Sequence, residues 1–126
     1  MERLIFCDTY ALYEFLRGNA RYRKYFSAYR IVTTQLNLIE LFYHILKEFG
    51  KDRARECYAS FELFAEPYGA DVIERAMTFR LEEKRRRLSY ADCLGYAFAL
   101  THRIRFLTGD KAFRDLPRVE FVPGNP

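Results

Sequence analysis

A three-layer α/β/α sandwich around a mostly parallel sheet of four or five strands is the fold this sequence predicts. Short strand-like runs alternate with longer segments of helical period, which is the pattern of a parallel sheet covered on both faces. The 126 residues are 50% hydrophobic, ample for one buried core, so residues 1–126 read as a single domain. No internal repeat, linker or low-complexity block divides them.

The first strand is the apolar run Leu4–Cys7, and Asp8 and Thr9 follow it where a helix is capped. That helix runs to about Arg17 and is closed by Gly18. Asn19 caps the next helix, in which Tyr22, Tyr25, Phe26 and Tyr29 recur at helical spacing and form an aromatic face. Residues 31–34, β-branched throughout, are the second strand. Residues 35–49 are rich in Leu, Ile and aromatics and predict a largely buried helix ended by Gly50. A helix over 52–65 places Ala54, Cys57, Tyr58, Phe61, Phe64 and Ala65 on one stripe; Pro67 then leaves room for a short third strand before Asp71. Asp71 caps a helix with Val72, Ile73, Ala76 and Met77 inward and the charged run 82–87 at its end. Ser89 opens the last helix, with Asp92 at the spacing of a capping box. Residues 104–107 and 119–122 are strands four and five, joined by a short turn containing Asp110, and 123–126 is a tail.

Composition excludes several classes. No stretch approaches the roughly 20 apolar residues of a membrane span, and no signal core follows the N-terminus, so a soluble, cytosolic protein is expected. Cys7, Cys57 and Cys93 are odd in number and lack His at ligand spacing, which suggests neither a disulfide framework nor a zinc site. The formal charge is +4, and with four acids gathered in one cleft the remainder holds 21 basic against 13 acidic residues, or +8. A negative pocket in a positive surround suits a polyanionic substrate, although solvated helix surface is the favoured reading of the charge count alone.

The four acids are Asp8, Glu40, Asp92 and Asp110. In doubly wound sheets, ligands bind beyond the carboxyl ends of strands at the switch point. With strand order 3-2-1-4-5, strands one and four are neighbours, and Asp8 and Asp110 face each other across that crevice. Glu40 lies in an apolar run where an unpaired carboxylate is costly to bury, a cost that a cation offsets. Each acid also has an ordinary reading. Asn37, Glu40, His44 and Lys47 share a sector that reads as a wet stripe, Asp92 complements a helix dipole, and Asp8 and Asp110 serve as caps or turn residues. The joint pattern favours a shared site. Its hard oxygen ligands suit Mg²⁺ or Mn²⁺, which can activate water and stabilise charge on a phosphate.

Four segments carry a family resemblance: Phe-Cys-Asp-Thr at 6–9, Asn-Leu-Ile-Glu-Leu at 37–41, Leu-Ser-Tyr-Ala-Asp at 88–92 and Leu-Thr-Gly-Asp at 107–110. In this order, and spanning nearly the whole chain, they resemble the motifs of PIN domains, and most those of the short, stand-alone VapC-type toxins. The resemblance implies a PIN-like fold and a magnesium- or manganese-dependent endoribonuclease. Asp8, Glu40, Asp92 and Asp110 would carry the metal and catalysis, with the Thr9 and Thr108 hydroxyls in support. It also implies a homodimer and, for a toxin, a small antitoxin that wraps the apolar helices and blocks the cleft. Some relatives place a further acid near the last motif; the nearest here, Asp115, reads as structural.

Other residues carry two readings each. His44, one turn beyond Glu40, is either an acid or base for the cleft or a structural histidine, and His102 answers a helix dipole. The basic run 84–87, and Arg21, Arg23 and Lys24 among aromatics, are either RNA contacts or solvated surface. Tyr58, Phe61 and Phe64 read mainly as core, with any exposed remainder suited to a dimer or antitoxin interface. Two further functions compete with the RNA-cleaving toxin. One is a non-catalytic RNA-binding or assembly module with the same fold. The other is a phospho-acceptor domain using Asp8 and Lys111, which leaves Glu40 and Asp92 outside its acid cluster.

Overall fold

Successive side chains of a strand point to opposite faces of its sheet, and strand β1 (Leu4–Cys7) divides its apolar residues accordingly. Ile5 and Cys7 enter one buried cluster, while Phe6 enters another. The computed structural model describes residues 3–124. In it β1 is central and pairs in parallel with β2 (Arg30–Val32) and β3 (Arg105–Thr108), and β4 (Val119–Phe121) adds to β3, in the order β2-β1-β3-β4. The register sets Val32, Phe6 and Phe106 abreast, and the rings of Phe6 and Phe106 stack with centroids 5.5 Å apart.

Among the described residues six helices cover this sheet: α1 (Thr9–Leu16), α2 (Ala20–Ala28), α3 (Gln35–Phe49), α4 (Lys51–Phe61), α5 (Ala70–Glu82) and α6 (Tyr90–Thr101). The face of Ile5 and Cys7 packs against Leu12 of α1, Tyr22 and Tyr25 of α2, Leu38, Leu41 and Ile45 of α3 and Phe61 of α4. The face of Phe6 packs against Val72 and Ala76 of α5 and the inner side of α6. The α/β/α sandwich expected from the sequence is thus the fold, with four strands.

The short strand expected between Pro67 and Asp71 does not form. A 3₁₀ turn at Glu62–Phe64 delivers Ala65 alone to the sheet edge, where it makes an isolated parallel bridge to Thr33. Thr33 N donates to Phe64 O at 3.0 Å and Glu66 N donates to Thr33 O at 2.9 Å. Pro67 then has no amide proton to continue the ladder. Without that strand, the expected order becomes the observed one.

Smaller corrections follow from local chemistry. The helix expected over 52–65 breaks at Phe61 into the 3₁₀ turn. Asp71 lies inside the first turn of α5, whose N-cap is Gly69, and Ile73 faces outward. The cap at Asn19 and the stop at Gly50, where φ is 90°, are as the sequence predicts.

One close approach governs the placement of α6. A Cβ on Gly95 would stand 2.8 and 2.9 Å from ring atoms of Phe6 and 3.3 Å from Asn37 Oδ1. Glycine therefore lets α6 settle directly on the central strand and beside the first turn of α3.

Candidate functional site

Each of the four acids is fixed by the element that carries it. Asp8 follows β1 and caps α1; its Oδ1 accepts from Ala11 N at 2.8 Å, and the Thr108 side chain also hydrogen-bonds to it. Asp110 lies two residues beyond β3, with Oδ1 accepting from Ala112 N at 2.9 Å and its own amide donating to Thr108 Oγ1 at 3.0 Å. Asp92 and Ser89 form the capping box of α6: Ser89 N donates to Asp92 Oδ2 at 2.9 Å, and Asp92 N donates to Ser89 Oγ at 3.1 Å. Glu40, on α3, accepts from Thr9 Oγ1 at 2.9 Å.

A buried relay stands behind Glu40. Thr34 Oγ1 donates to Asn37 Oδ1 at 2.7 Å, and Asn37 Nδ2 donates to Thr9 Oγ1 at 3.2 Å, which frees the Thr9 proton for Glu40. Asn37 is fully buried. The wet stripe of Asn37, Glu40, His44 and Lys47 is therefore corrected at Asn37, because α6 and Thr9 cover that part of α3. Sequence reasoning missed this residue; its signal was a position one helical turn before Glu40.

Asp8, Glu40, Asp92 and Asp110 all line one cleft of about 550 Å³, together with Thr9 and Ser89. Thr108 lies buried beneath it and holds both Asp8 and Asp110. The leucine-threonine-glycine-aspartate turn is tight for a steric reason. A Cβ on Gly109 would collide with the Tyr10 ring, with Val122 O and with Tyr22 Oη.

Burial raises the Asp8 carboxyl to about 8, against the hydrogen bonds from Thr108 and Ala11, and the charges of Asp92 and Asp110 push it further up. Burial likewise raises Asp92 to about 6, opposed by the bonds from Ser89 and reinforced by Glu40 and Asp110. The acids thus feel one another's charge across the cleft. Among the described residues no three His, Cys, Asp or Glu side chains are gathered into a ready cage for an ion. The donor set still fits a cation that keeps several of its waters and takes one or two carboxylates directly, as magnesium does.

The remaining candidates separate clearly. His44 lines the cleft at an exposed position. Half-buried Tyr13 and exposed Glu48 line it too, joined by a bond from Tyr13 Oη to Glu48 Oε1 at 2.7 Å. His102 is the C-cap of α6 and lies against the Phe98 ring at 4.2 Å, outside the cleft. Asp115 is exposed and paired with Arg86 at 2.8 Å. Arg21, Arg23 and Lys24 stay on the outer surface of α2, and of the run 84–87 only Arg87 reaches the cleft. Among the described residues no helix is long and apolar enough to cross a membrane.

Several solved structures share this architecture, three of them as follows. A toxin–antitoxin complex from Klebsiella pneumoniae aligns with TM-score 0.70 at 22% identity, over 96% of this chain and 98% of that one. VapC20 of Mycobacterium tuberculosis, a toxin that cleaves the sarcin–ricin loop, aligns with TM-score 0.77 at 23% identity, over 94% and 99%. VapBC2 of Rickettsia felis, bound to a DNA fragment from its promoter, aligns with TM-score 0.70 at 17% identity, over 95% and 98%. At such identities the likeness concerns the fold. No curated protein matches the chain in sequence. The family model of the PIN domain matches residues 5–119, a span that holds all four acids and most of the sheet: the chain belongs to the PIN domain family.

Proposed function

We propose that this protein is a magnesium- or manganese-dependent endoribonuclease, the toxin of a toxin–antitoxin pair, which hydrolyses RNA phosphodiester bonds in the cleft of Asp8, Glu40, Asp92 and Asp110. One observation carries the reading: acids from positions 8, 40, 92 and 110 line a single cleft, in which Asp8 and Asp92 are raised by burial and by neighbouring acids. Such crowding is unfavourable without a counter-charge, and a divalent cation supplies it.

Asp8, Asp92, Asp110 and Glu40 are the residues that would hold the ion. When bound, it lowers the pKa of water and offsets charge on a phosphate oxygen, the chemistry that in-line hydrolysis needs. The chain itself supplies preorganisation. Thr108 and the Ala11 amide fix Asp8, the Ser89 amide fixes Asp92, and the Asn37–Thr9 relay fixes Glu40. Positions held this way need little rearrangement when a strand enters.

The toxin part of the reading draws support from the shared fold of the toxin–antitoxin complex and of VapC20. An antitoxin is the corresponding partner. A homodimer is supported by Ile39, Tyr43, Leu46 and Phe49, large apolar side chains that α3 leaves exposed.

The test is cleavage of single-stranded RNA by purified protein with Mg²⁺ or Mn²⁺, abolished by chelation and by Asp8→Asn or Asp92→Asn. Equal cleavage by the variants would defeat the assignment. Salt-sensitive RNA binding without any cleavage would assign the non-catalytic module instead.

A further inference from the structure

We propose that Arg87 binds a phosphate of the substrate strand at the rim of the acidic cleft, beside the scissile bond. The inference rests on the ribonuclease reading and goes beyond it by assigning the strand a point of capture. Glu48 and Glu14, the latter buried and paired with Arg17 at 3.3 Å, line the cleft in addition to the four acids. Against them, among the described residues, Arg87 is the one Lys or Arg in the lining. Even with a divalent ion bound, the five acids other than Glu14 leave the cleft unfavourable to RNA, and a guanidinium at its edge offsets that locally.

The chain places this side chain by fixing both of its neighbours. Arg86 turns the other way, donating to Glu83 at 2.7 Å, to Ala112 O at 2.8 Å and to Asp115 at 2.8 Å. Leu88 is buried, and its carbonyl accepts from Arg80 Nε at 3.1 Å. Between these anchors Arg87 adopts left-handed backbone angles, φ 55° and ψ 42°, and comes to the cleft beside Ser89 and Asp92. Arg103 and Arg118 also have positive φ, but Arg118 donates to Arg103 O and neither lines the cleft.

Among the described residues the side chain of Arg87 makes no hydrogen bond or ion pair, although its amide donates to Lys84 O at 3.2 Å, and the residue is exposed. Its guanidinium therefore offers a full fork of donors, the geometry that grips two oxygens of one phosphate. Lys84 and Arg85, in the same basic run, do not reach the cleft.

Steady-state cleavage of a labelled single-stranded RNA in Mn²⁺ across a salt series tests the assignment. The set is wild type, Arg87→Gly, Arg87→Lys and Arg85→Ala. Glycine accepts positive φ without strain, so Arg87→Gly keeps the fold, and an unchanged thermal midpoint verifies this. Arg87→Gly is expected to raise KM about tenfold with kcat little changed, and to lower the salt slope of log KM by about one. Arg87→Lys should recover part of the loss, and Arg85→Ala should change KM far less. An unchanged KM and slope in Arg87→Gly, an equal loss in Arg85→Ala, or a fall in kcat alone would overturn the proposal while the nuclease reading stands. A wild type inactive with Mg²⁺ and Mn²⁺ overturns both.

Discussion

Asp8 is the residue where burial and charge conflict most. Its carboxyl rises from the ordinary 3.8 to about 8, so the folded protein holds a proton that the unfolded chain releases above about pH 4. Without metal, the associated stability is present below pH 4 and is lost as pH rises to about 8, because the folded state then binds more protons than the unfolded one. At about 1.4 kcal/mol per unit, the loss is on the order of several kcal/mol. Asp8→Asn keeps an oxygen for Ala11 N and carries no charge. Thermal unfolding in EDTA between pH 5 and 8.5 should therefore show the wild type falling while Asp8→Asn stays flatter and melts several degrees higher at pH 8; parallel curves would count against the burial argument. Mn²⁺ should reverse the wild-type loss, adding about 2.7 kcal/mol at a hundredfold excess over Kd, with proton release visible as a buffer-dependent calorimetric heat. Asp8, Asp92 and Asp110 were legible in the sequence because strand ends and caps leave local signals. Asn37 was not, since its spacing fits a wet stripe as well as a buried relay, and only the packing of α6 distinguishes them.

Helix α6 shows how an element carries chemistry. Its capping box both starts the helix and orients Asp92, so Ser89→Ala should cost about 1 kcal/mol of stability and also reduce cleavage. Urea unfolding and RNA turnover measured on the same preparation separate the two effects. Gly95→Ala gains helix propensity of up to about 1 kcal/mol, yet its methyl meets Phe6, which is packed between Phe98 and Phe106. Overpacking of this kind costs about 1–3 kcal/mol. A lowered urea midpoint with reduced cleavage is expected, and an unchanged midpoint would show that α6 can move away freely. The sequence revealed this helix through Ser89 and Asp92, and α3 through its apolar run. It misled at residues 66–69, where room for a strand existed but Pro67 removes a donor and the 3₁₀ turn before it uses up the chain.

At the scale of the whole molecule, the alternation of strands and helices was enough to foresee the layers, while the adjacency of β1 and β3 followed only once a strand order was assumed. Which apolar residues stay outside was not foreseeable, because α3 is apolar on more than its inner face. Tyr58 and Phe64 are half-buried, while Ile39, Tyr43, Leu46 and Phe49 are exposed. Tyr43→Glu combined with Phe49→Glu should shift the proposed homodimer to monomer in light scattering without lowering the thermal midpoint of the monomer. A dimer that persists would exclude this face. The central pairing of β1 with β3 has a temporal consequence as well. Cys7 meets Leu107, and Asp8 depends on Thr108, a hundred positions later. Contacts so distant along the chain close late and slowly, so a nascent polypeptide that has not yet extruded its third strand has neither a finished sheet nor a working cleft. Protein synthesis itself thereby delays the moment at which the cleft of Asp8 and Asp110 is complete.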